Sequence, residues 1–174
     1  MSIERSEKWS TMQNITLQDY FNLRFADAAK YAKLLIEELG EEKAYEILDK
    51  NALEEGKENG KEFMINRNQL TSKDDLSDFF HDLYSEPFWD KCLEIEYPEE
   101  TEDGFKVNVK KCIWAYTFSK LGASDFGFHT MCMGDYGIAK GLSPHVTLKR
   151  SKTLMQGDDC CDFRFIWEKK NNNR

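Results

Sequence analysis

The first forty residues carry the hydrophobic spacing of one long amphipathic helix. Thr16 is an expected N-cap, Asp19 completes a capping box three residues later, and Gly40 is an expected C-terminal stop. Between them, apolar residues recur at alternating steps of four and three, which predicts one core-facing helix face. This face comprises Phe21, Phe25, Ala28, Ala32, Leu35 and Leu39.

Two further helices are predicted before residue 88. The first covers 41–55, and Gly56 and Gly60 weaken the helical pattern beyond it. The next begins at Ser72, and Pro87 is expected to end it because the residue before a proline disfavours helical geometry. Its spacing predicts a buried face of Leu76, Phe79, Phe80 and Leu83.

After residue 90 the hydrophobic period becomes that of a strand. Apolar residues alternate with glutamates over 93–97, and with lysines and an asparagine over 105–110. Each segment therefore predicts a strand with one buried face. An acidic turn at 101–104 joins the two strands, and the opposite charges on their outer faces favour antiparallel pairing.

The rest of the chain contains both patterns. Helices are predicted over 112–121 and from an N-cap at Ser124 to about Ala139. A strand after Pro144 has an inward face of Val146, Leu148 and Arg150. The inward face of a last strand comprises Cys161, Phe163, Phe165 and Trp167.

These elements predict an α+β fold, in which an antiparallel sheet of about four strands has helices packed on one face. We expect a single domain over 1–174, because this length is enough for one hydrophobic core. Within it, 1–88 is the mainly helical part, and 90–168 is the part that carries the site.

Charge and cysteine content narrow the functional classes. The formal net charge is −8 and the pI is about 5.0, so the chain lacks the basic surface that binding to nucleic acid or an anionic membrane requires. No apolar run is long enough to span a bilayer, and no signal peptide is recognisable. Five cysteines, an odd number, then predict reduced thiols in a cytoplasmic protein.

The strongest candidate for catalysis is a helical cluster of His129, Cys132 and Asp135. Its neighbouring members are three residues apart, which brings each pair near one helix face. An imidazole can take the proton of a cysteine, whose thiolate is the nucleophile, and an aspartate can orient that base or activate a water. The alternative interpretations are a structural core helix and a metal site.

A metal site is the weaker of these alternatives, because it needs three or four converging ligands. Adjacent Cys160 and Cys161 point to opposite faces of a strand, so one ion cannot easily bind both. We therefore expect neither a metal nor another cofactor.

Arg150 is the main candidate for substrate binding. The strand alternation aims it inward, where a guanidinium needs an anion. That anion is either a substrate carboxylate, held by two hydrogen bonds, or an acid of the chain such as Asp135. Trp114 is a candidate wall of the same pocket, with core packing as the alternative, and Cys161 is expected in the core or the pocket wall.

Three segments of the chain resemble one known family. They are 112–114, the run Cys132-Met133-Gly134-Asp135, and above all the segment from Thr153 to Phe165. Together they resemble the L-2-amino-thiazoline-4-carboxylic acid hydrolase family over about residues 90 to 168.

The resemblance implies hydrolytic opening of a 2-amino-thiazoline ring that bears a carboxylate, giving N-carbamoyl-L-cysteine. The implied partner is a small-molecule carboxylate substrate. Either water or the Cys132 thiolate attacks the ring carbon, and the sequence leaves this choice open. The expected catalytic residues are Cys132, Asp135 and His129. The expected substrate-binding residues are Arg150, Thr153, Trp114 and Cys161.

Two other classes of function stay open. The C-terminal glycine, paired cysteines and Phe-x-Phe are similar to small-molecule-binding domains of the 4-vinyl reductase type, which implies a sensor or carrier. A binding domain of this type would have a long apolar pocket, lined by Met131, Met133, Phe126 and Trp114. A hydrolase instead requires a small polar pocket in which Arg150, Asp135 and Cys132 converge. An interaction domain is the third class, in which the apolar face of the first helix serves a homodimer.

Overall fold

A computed structural model describes residues 15–98 and 104–168 of the chain. Its α-helices are α1 (Leu17–Leu39), α2 (Glu41–Phe63), α3 (Lys73–Ser85), α4 (Pro87–Cys92), α5 (Ile113–Lys120), α6 (Ser124–Gly127) and α7 (Gly134–Leu142). Its strands are β1 (Leu93–Glu96), β2 (Gly104–Cys112), β3 (Val146–Lys149) and β4 (Cys161–Trp167). A π-helical turn (Phe128–Cys132) links α6 to α7, and a 3₁₀ turn (Leu154–Gln156) precedes β4. The predicted turn at 101–104 lies outside the described residues except for Gly104.

The four strands form one antiparallel sheet in the order β1-β2-β4-β3. Val107 of β2 pairs with Phe163 of β4, and Leu148 of β3 pairs with Phe165. The face that carries these residues belongs to the main hydrophobic core, together with apolar side chains of α3 and α7. The prediction of an α+β fold, with a four-stranded antiparallel sheet and a helical N-terminal half, is confirmed.

Helices α1 and α3 begin where the sequence predicts. Thr16 and Ser72 each accept a hydrogen bond from the backbone N–H three residues further on, and Asp19 and Asp75 complete the two capping boxes. All four residues of the predicted α3 face are buried. The caps fix both starts because they satisfy N–H groups that have no partner inside a helix.

The N-terminal part of the predicted apolar face of α1 packs within the chain, whereas Leu39 at its C-terminal end is exposed. Phe21 meets Trp114 edge-on at 5.1 Å between ring centroids, and Phe25 contacts Phe118 at 4.9 Å. A homodimer through this face stays a prediction, although α5 already covers its N-terminal part. In the described ranges, neither α1 nor another helix is long and apolar enough to cross a membrane.

Helix α2 is longer than the sequence predicts, because it continues through Gly56 and Gly60 to Phe63. Both glycines are buried, and a Cβ at either one would overlap backbone atoms of α7. Gly137 and Gly141 of α7 face backbone atoms of α2 in the same way. The four glycines therefore allow the two helix backbones to touch, and this packing outweighs their low helix propensity.

The predicted helix from Ser124 to Ala139 is three consecutive segments instead of one. Ser124 is the first residue of α6 and makes no capping hydrogen bond. The backbone N–H of Met133 donates to the carbonyl oxygen of Phe128 at 3.0 Å, an i to i+5 bond that defines the π-turn. Because a π-turn contains one residue more than an α-helical turn, residues before and after it do not lie on one helix face.

Candidate functional site

A partly open cavity of about 270 Å³ lies between the apolar face of the sheet and helices α2 and α7. Most of its wall is apolar, and includes Trp89, Trp114, Met131, Ile138, Phe163 and Phe165. Charged and thiol groups interrupt that wall at Glu55, Cys112, Cys132, Asp135, Arg150 and Cys161. Five of the residues predicted for the site therefore line one cavity: Trp114, Cys132, Asp135, Arg150 and Cys161.

Asp135 and Arg150 form an ion pair in this wall. Arg150 follows directly after β3, and its Nη1 donates a hydrogen bond to Oδ2 of Asp135 at 2.7 Å. Its Nη2 donates to the carbonyl oxygen of Cys132 at 3.0 Å. The inward direction of Arg150 is as the alternation predicts, and its anionic partner is the acid of the chain that the sequence left as an alternative.

The guanidinium of Arg150 is enclosed on its flat faces as well. It lies 5.3 Å from the ring centroid of Tyr136 and 5.1 Å from that of Phe163. Only 1% of its side chain is exposed, compared with 29% of the Asp135 side chain. Both residues line the cavity, but only the carboxylate keeps an exposed part that a ligand can reach.

Burial raises the pKa of Asp135 from 3.8 to about 6, and Arg150 limits this rise by its charge and its hydrogen bond. The exposed part of the carboxylate faces a cavity with a mainly apolar wall, where bulk water does not stabilise its charge. Burial opposes the charge of Arg150 too, but Asp135 raises the pKa of the guanidinium, which stays protonated. The cavity thus holds a carboxylate that changes protonation state near neutral pH.

Three thiols line the cavity, and all three are protonated. Burial raises the pKa of Cys112 to about 12 and that of Cys161 to about 11. The pKa of Cys132 is raised further by burial and by the negative charge of Asp135, against the opposing effect of Arg150. Because the thiolate is the nucleophilic form, Cys132 is a poor nucleophile in this environment.

His129 lies outside the cavity wall. Its Nδ1 is 2.7 Å from Oδ1 of Asp49 on α2, and its ring stacks on Tyr45 at 4.0 Å with an interplanar angle of 8°. The π-turn that begins at Phe128 separates His129 from Asp135, which lies in the first turn of α7. The structure therefore does not bring His129 together with the cavity residues.

Thr153 is also outside the wall, in the buried cap of the 3₁₀ turn. Its hydroxyl accepts a hydrogen bond from the backbone N–H of Gln156 and donates to that residue's Oε1 at 3.0 Å. Its backbone N–H donates to Asp158 at 2.7 Å. These bonds fix the loop before β4, so Thr153 supports the position of Cys161 on that strand.

Cys112 lies in the wall, although the sequence places it at the start of a helix and not in a strand. It is the last residue of β2, and β1 and β2 change register between Glu94 and Ile95. Glu94 pairs with Lys111 and Leu93 with Cys112, which turns the lysine outward and the thiol inward. Glu55 and Asn59 were missed because the predicted helix ended near residue 55.

In residues 15–98 and 104–168, no group of three or more His, Cys, Asp or Glu side chains has the geometry to hold a metal ion. The protonated thiols of Cys112, Cys132 and Cys161 instead form part of the wall. No step in the chemistry proposed below requires a metal.

The fold and the cavity define an α+β protein with a small cavity between an antiparallel sheet and its helices. The profile of the L-2-amino-thiazoline-4-carboxylic acid hydrolase family matches residues 21–165, so the chain belongs to that family. The match begins in α1, whereas the resemblance recognised in the sequence began near residue 90. No curated protein matches the chain. The family name implies that the chain is a hydrolase.

Proposed function

We propose that the chain hydrolyses a small cyclic amidine of the 2-amino-thiazoline type and opens its ring to a urea-type product, which is an N-carbamoyl amino acid where the ring carries a carboxylate. The observation that carries this proposal is the ion pair of Asp135 with Arg150 in the cavity wall. The pair offers a ligand one oriented carboxylate whose pKa of about 6 suits a general base near neutral pH.

In the proposed reaction, water attacks the ring carbon that lies between nitrogen and sulfur. Asp135 takes a proton from this water as the new carbon–oxygen bond forms and the carbon–nitrogen double bond becomes single. Asp135 passes this proton to the ring nitrogen. It then takes the proton of the new hydroxyl group as the carbonyl group forms, and it returns that proton to the sulfur as the carbon–sulfur bond breaks. Substrate and one water are thereby converted to a urea-type product with a free thiol.

The other predicted residues have supporting roles in this proposal. Arg150 fixes the direction of the carboxylate, and it keeps enough of it ionised to act as a base. Cys132 and Cys161 act as neutral thiols beside the reacting carbon, and Trp114 packs on the ring. His129 and Thr153 act from outside the cavity, as positioning residues for the π-turn and for the loop before β4.

The mainly apolar wall favours a second candidate function, a binding domain that holds a small molecule without converting it. Met131 and Trp114 line the cavity, as the sequence predicts for such a domain, whereas Met133 and Phe126 do not. The convergence of Asp135, Arg150 and Cys132 favours the hydrolase, because a carrier of an apolar ligand gains nothing from a buried ion pair.

The test is hydrolysis of L-2-amino-thiazoline-4-carboxylate by the purified, reduced protein, followed by mass spectrometry with and without a chelator. We expect turnover in both conditions. Asp135→Glu keeps the charge but moves the carboxylate, and we expect a loss of about 10²-fold or more in kcat. Asp49→Asn is the matched control, because Asp49 belongs to the ion pair outside the cavity, and it should keep kcat within about threefold.

Two more variants keep the test decisive. Asp135→Asn with Arg150→Gln removes both charges together, so that no buried charge is left unpaired, and it should be folded but inactive. Cys132→Ala should keep turnover within about tenfold, because water rather than the thiol attacks. Full activity of the folded Asp135 variants would refute the proposed base, and absence of turnover by the wild type would favour the binding domain.

A further inference from the structure

The charges around the cavity are unfavourable for an anionic ligand. Among the wall residues that the structure describes, Arg150 is the only Lys, Arg or His, whereas Asp135 and Glu55 are both acidic. With all three groups ionised, the wall carries one net negative charge. A carboxylate inside it would meet more repulsion than attraction.

The one cation of the wall is already occupied. Both terminal nitrogens of Arg150 donate hydrogen bonds within the chain, one to Asp135 and one to the carbonyl oxygen of Cys132. The rings of Tyr136 and Phe163 lie close to its guanidinium, and 1% of its side chain is exposed. A ligand carboxylate could bind Arg150 only by displacing Asp135, which would remove the proposed base from its position.

The wall is acidic where it is most exposed as well. Glu55 and Asn59 lie one turn apart on α2, and they are the most solvent-exposed residues of the wall. This arrangement attracts a protonated amidine and repels an anion.

The remaining wall offers a large aromatic surface. Trp89 and Trp114 lie with their ring centroids 6.0 Å apart, and Tyr84, Phe163 and Phe165 line the same cavity. Such a surface stabilises a ligand by excluding water from its apolar part and by stacking. The cavity thus combines two carboxylates, which suit an amidine, with a large apolar surface.

We propose that the substrates of this chain are cyclic amidines whose ring carries an apolar, aromatic-sized substituent where the compound in the family name carries a carboxylate. Glu55 is the specificity-determining residue that disfavours the carboxylate. The proposal rests on the proposed function, in which Asp135 faces the amidine, and it adds the class of substituent that the apolar wall accepts.

The test compares two ligands that share the 2-amino-thiazoline ring and differ at position 4, where one carries phenyl and the other carboxylate. Stopped-flow tryptophan fluorescence, which Trp89 and Trp114 of the wall make sensitive to occupancy, gives the Kd before turnover. At low ionic strength, we expect the phenyl compound to bind at least about tenfold more tightly. Unsubstituted 2-amino-thiazoline should bind no more weakly than the carboxylate.

Both ligands share the amidine, so its loss of attraction to Glu55 cancels in their comparison. Glu55→Gln should therefore lower the Kd of the carboxylate relative to that of the phenyl compound about two- to fivefold. Glu54→Gln is its matched control, because Glu54 is the exposed neighbour on α2 and does not line the cavity. Equal or tighter binding of the carboxylate by the wild type would overturn the proposal, as would an identical effect of the two variants.

Turnover of the same compounds separates this proposal from the proposed function. Tighter binding of the phenyl compound without turnover of either ligand would support the class of ligand that the wall selects, but it would refute the hydrolase. Turnover of both ligands with tighter binding of the carboxylate would support the hydrolase and refute the substrate class.

Discussion

Two acid–base pairs attach one stretch of chain, the segment from the π-turn into α7, to the rest of the molecule. His129 pairs with Asp49, and Asp135 pairs with Arg150, at the same distance of 2.7 Å. In the first pair both side chains keep solvent exposure, 21% for His129 and 30% for Asp49. In the second, Arg150 keeps 1% and Asp135 keeps 29%, which it directs at the cavity.

A short distance alone therefore does not give an ion pair a functional role. Burial raises the pKa of Asp135 to about 6 against the opposing effect of Arg150, because the apolar wall solvates charge poorly. In a pair with the same N–O distance whose two side chains both keep solvent exposure, water greatly weakens the electrostatic attraction. The two pairs should therefore respond very differently to the removal of one partner.

The largest effect is expected from Arg150→Met, which leaves the Asp135 carboxylate without its partner. Breaking a buried pair in this way typically costs about 3–5 kcal/mol of unfolding free energy, because one charge stays buried without compensation. Urea unfolding at pH 8 measures this loss. The loss should be smaller at pH 5, where protonation of Asp135 removes the uncompensated charge.

Arg164→Met is the matched control for Arg150→Met. Arg164 lies on β4 with 54% of its side chain exposed and contacts Asp162 at 3.9 Å. Its removal should change the unfolding free energy by less than about 0.5 kcal/mol. If the two variants lost the same stability, the burial of the Asp135–Arg150 pair would not have the energetic weight that we assign to it.

A smaller effect, but a more specific one, is expected in the pH dependence of the reaction. A general base acts in its ionised form, so kcat/KM should rise about tenfold per pH unit below the Asp135 pKa of about 6 and level off above pH 7. Because the pKa of this acid is raised on folding, from 3.8, its ionisation opposes folding between pH 4 and 6. Activity therefore rises in the range where this group's contribution to stability falls.

Initial rates between pH 4.5 and 8 check this dependence. Asp49→Asn should leave the inflection unchanged, since Asp49 belongs to the other pair and does not line the cavity. A flat profile, or an inflection near the ordinary pKa of an exposed aspartate, would show that Asp135 is not the base.

The fold was predictable wherever one local signal had no competitor. The capping boxes at Thr16 and Ser72 set the starts of α1 and α3, and the alternation over 93–97 and 105–110 gave the paired strands. Helix α2 was predicted too short because Gly56 and Gly60 read locally as helix breakers. Both glycines instead allow close contact with α7, which lies about eighty residues further along the chain.

The site was predictable only in part, and for a related reason. Period-2 alternation placed Arg150 and Cys161 inward correctly, but Cys112 was predicted in a helix. It is the last residue of β2, close to the shift in register between β1 and β2. Helical spacing grouped His129 with Asp135, and the i to i+5 turn between them broke that grouping. A bulge or a π-turn is set by the packing of distant elements, which spacing along one segment does not contain.

The smallest effect is expected from His129→Asn, the variant that tests the half-exposed pair. An interaction of this kind contributes about 0.2–1 kcal/mol, so the unfolding free energy should fall by no more than that, and kcat should stay within about threefold. A double-mutant cycle with Asp49→Asn measures the coupling of the pair directly. His145→Asn, which removes an imidazole near Trp167 outside the cavity wall, is the matched control. A hundredfold loss of kcat in His129→Asn alone would show that the histidine reaches the reacting atoms when substrate is bound, and the division between the two pairs would then be wrong.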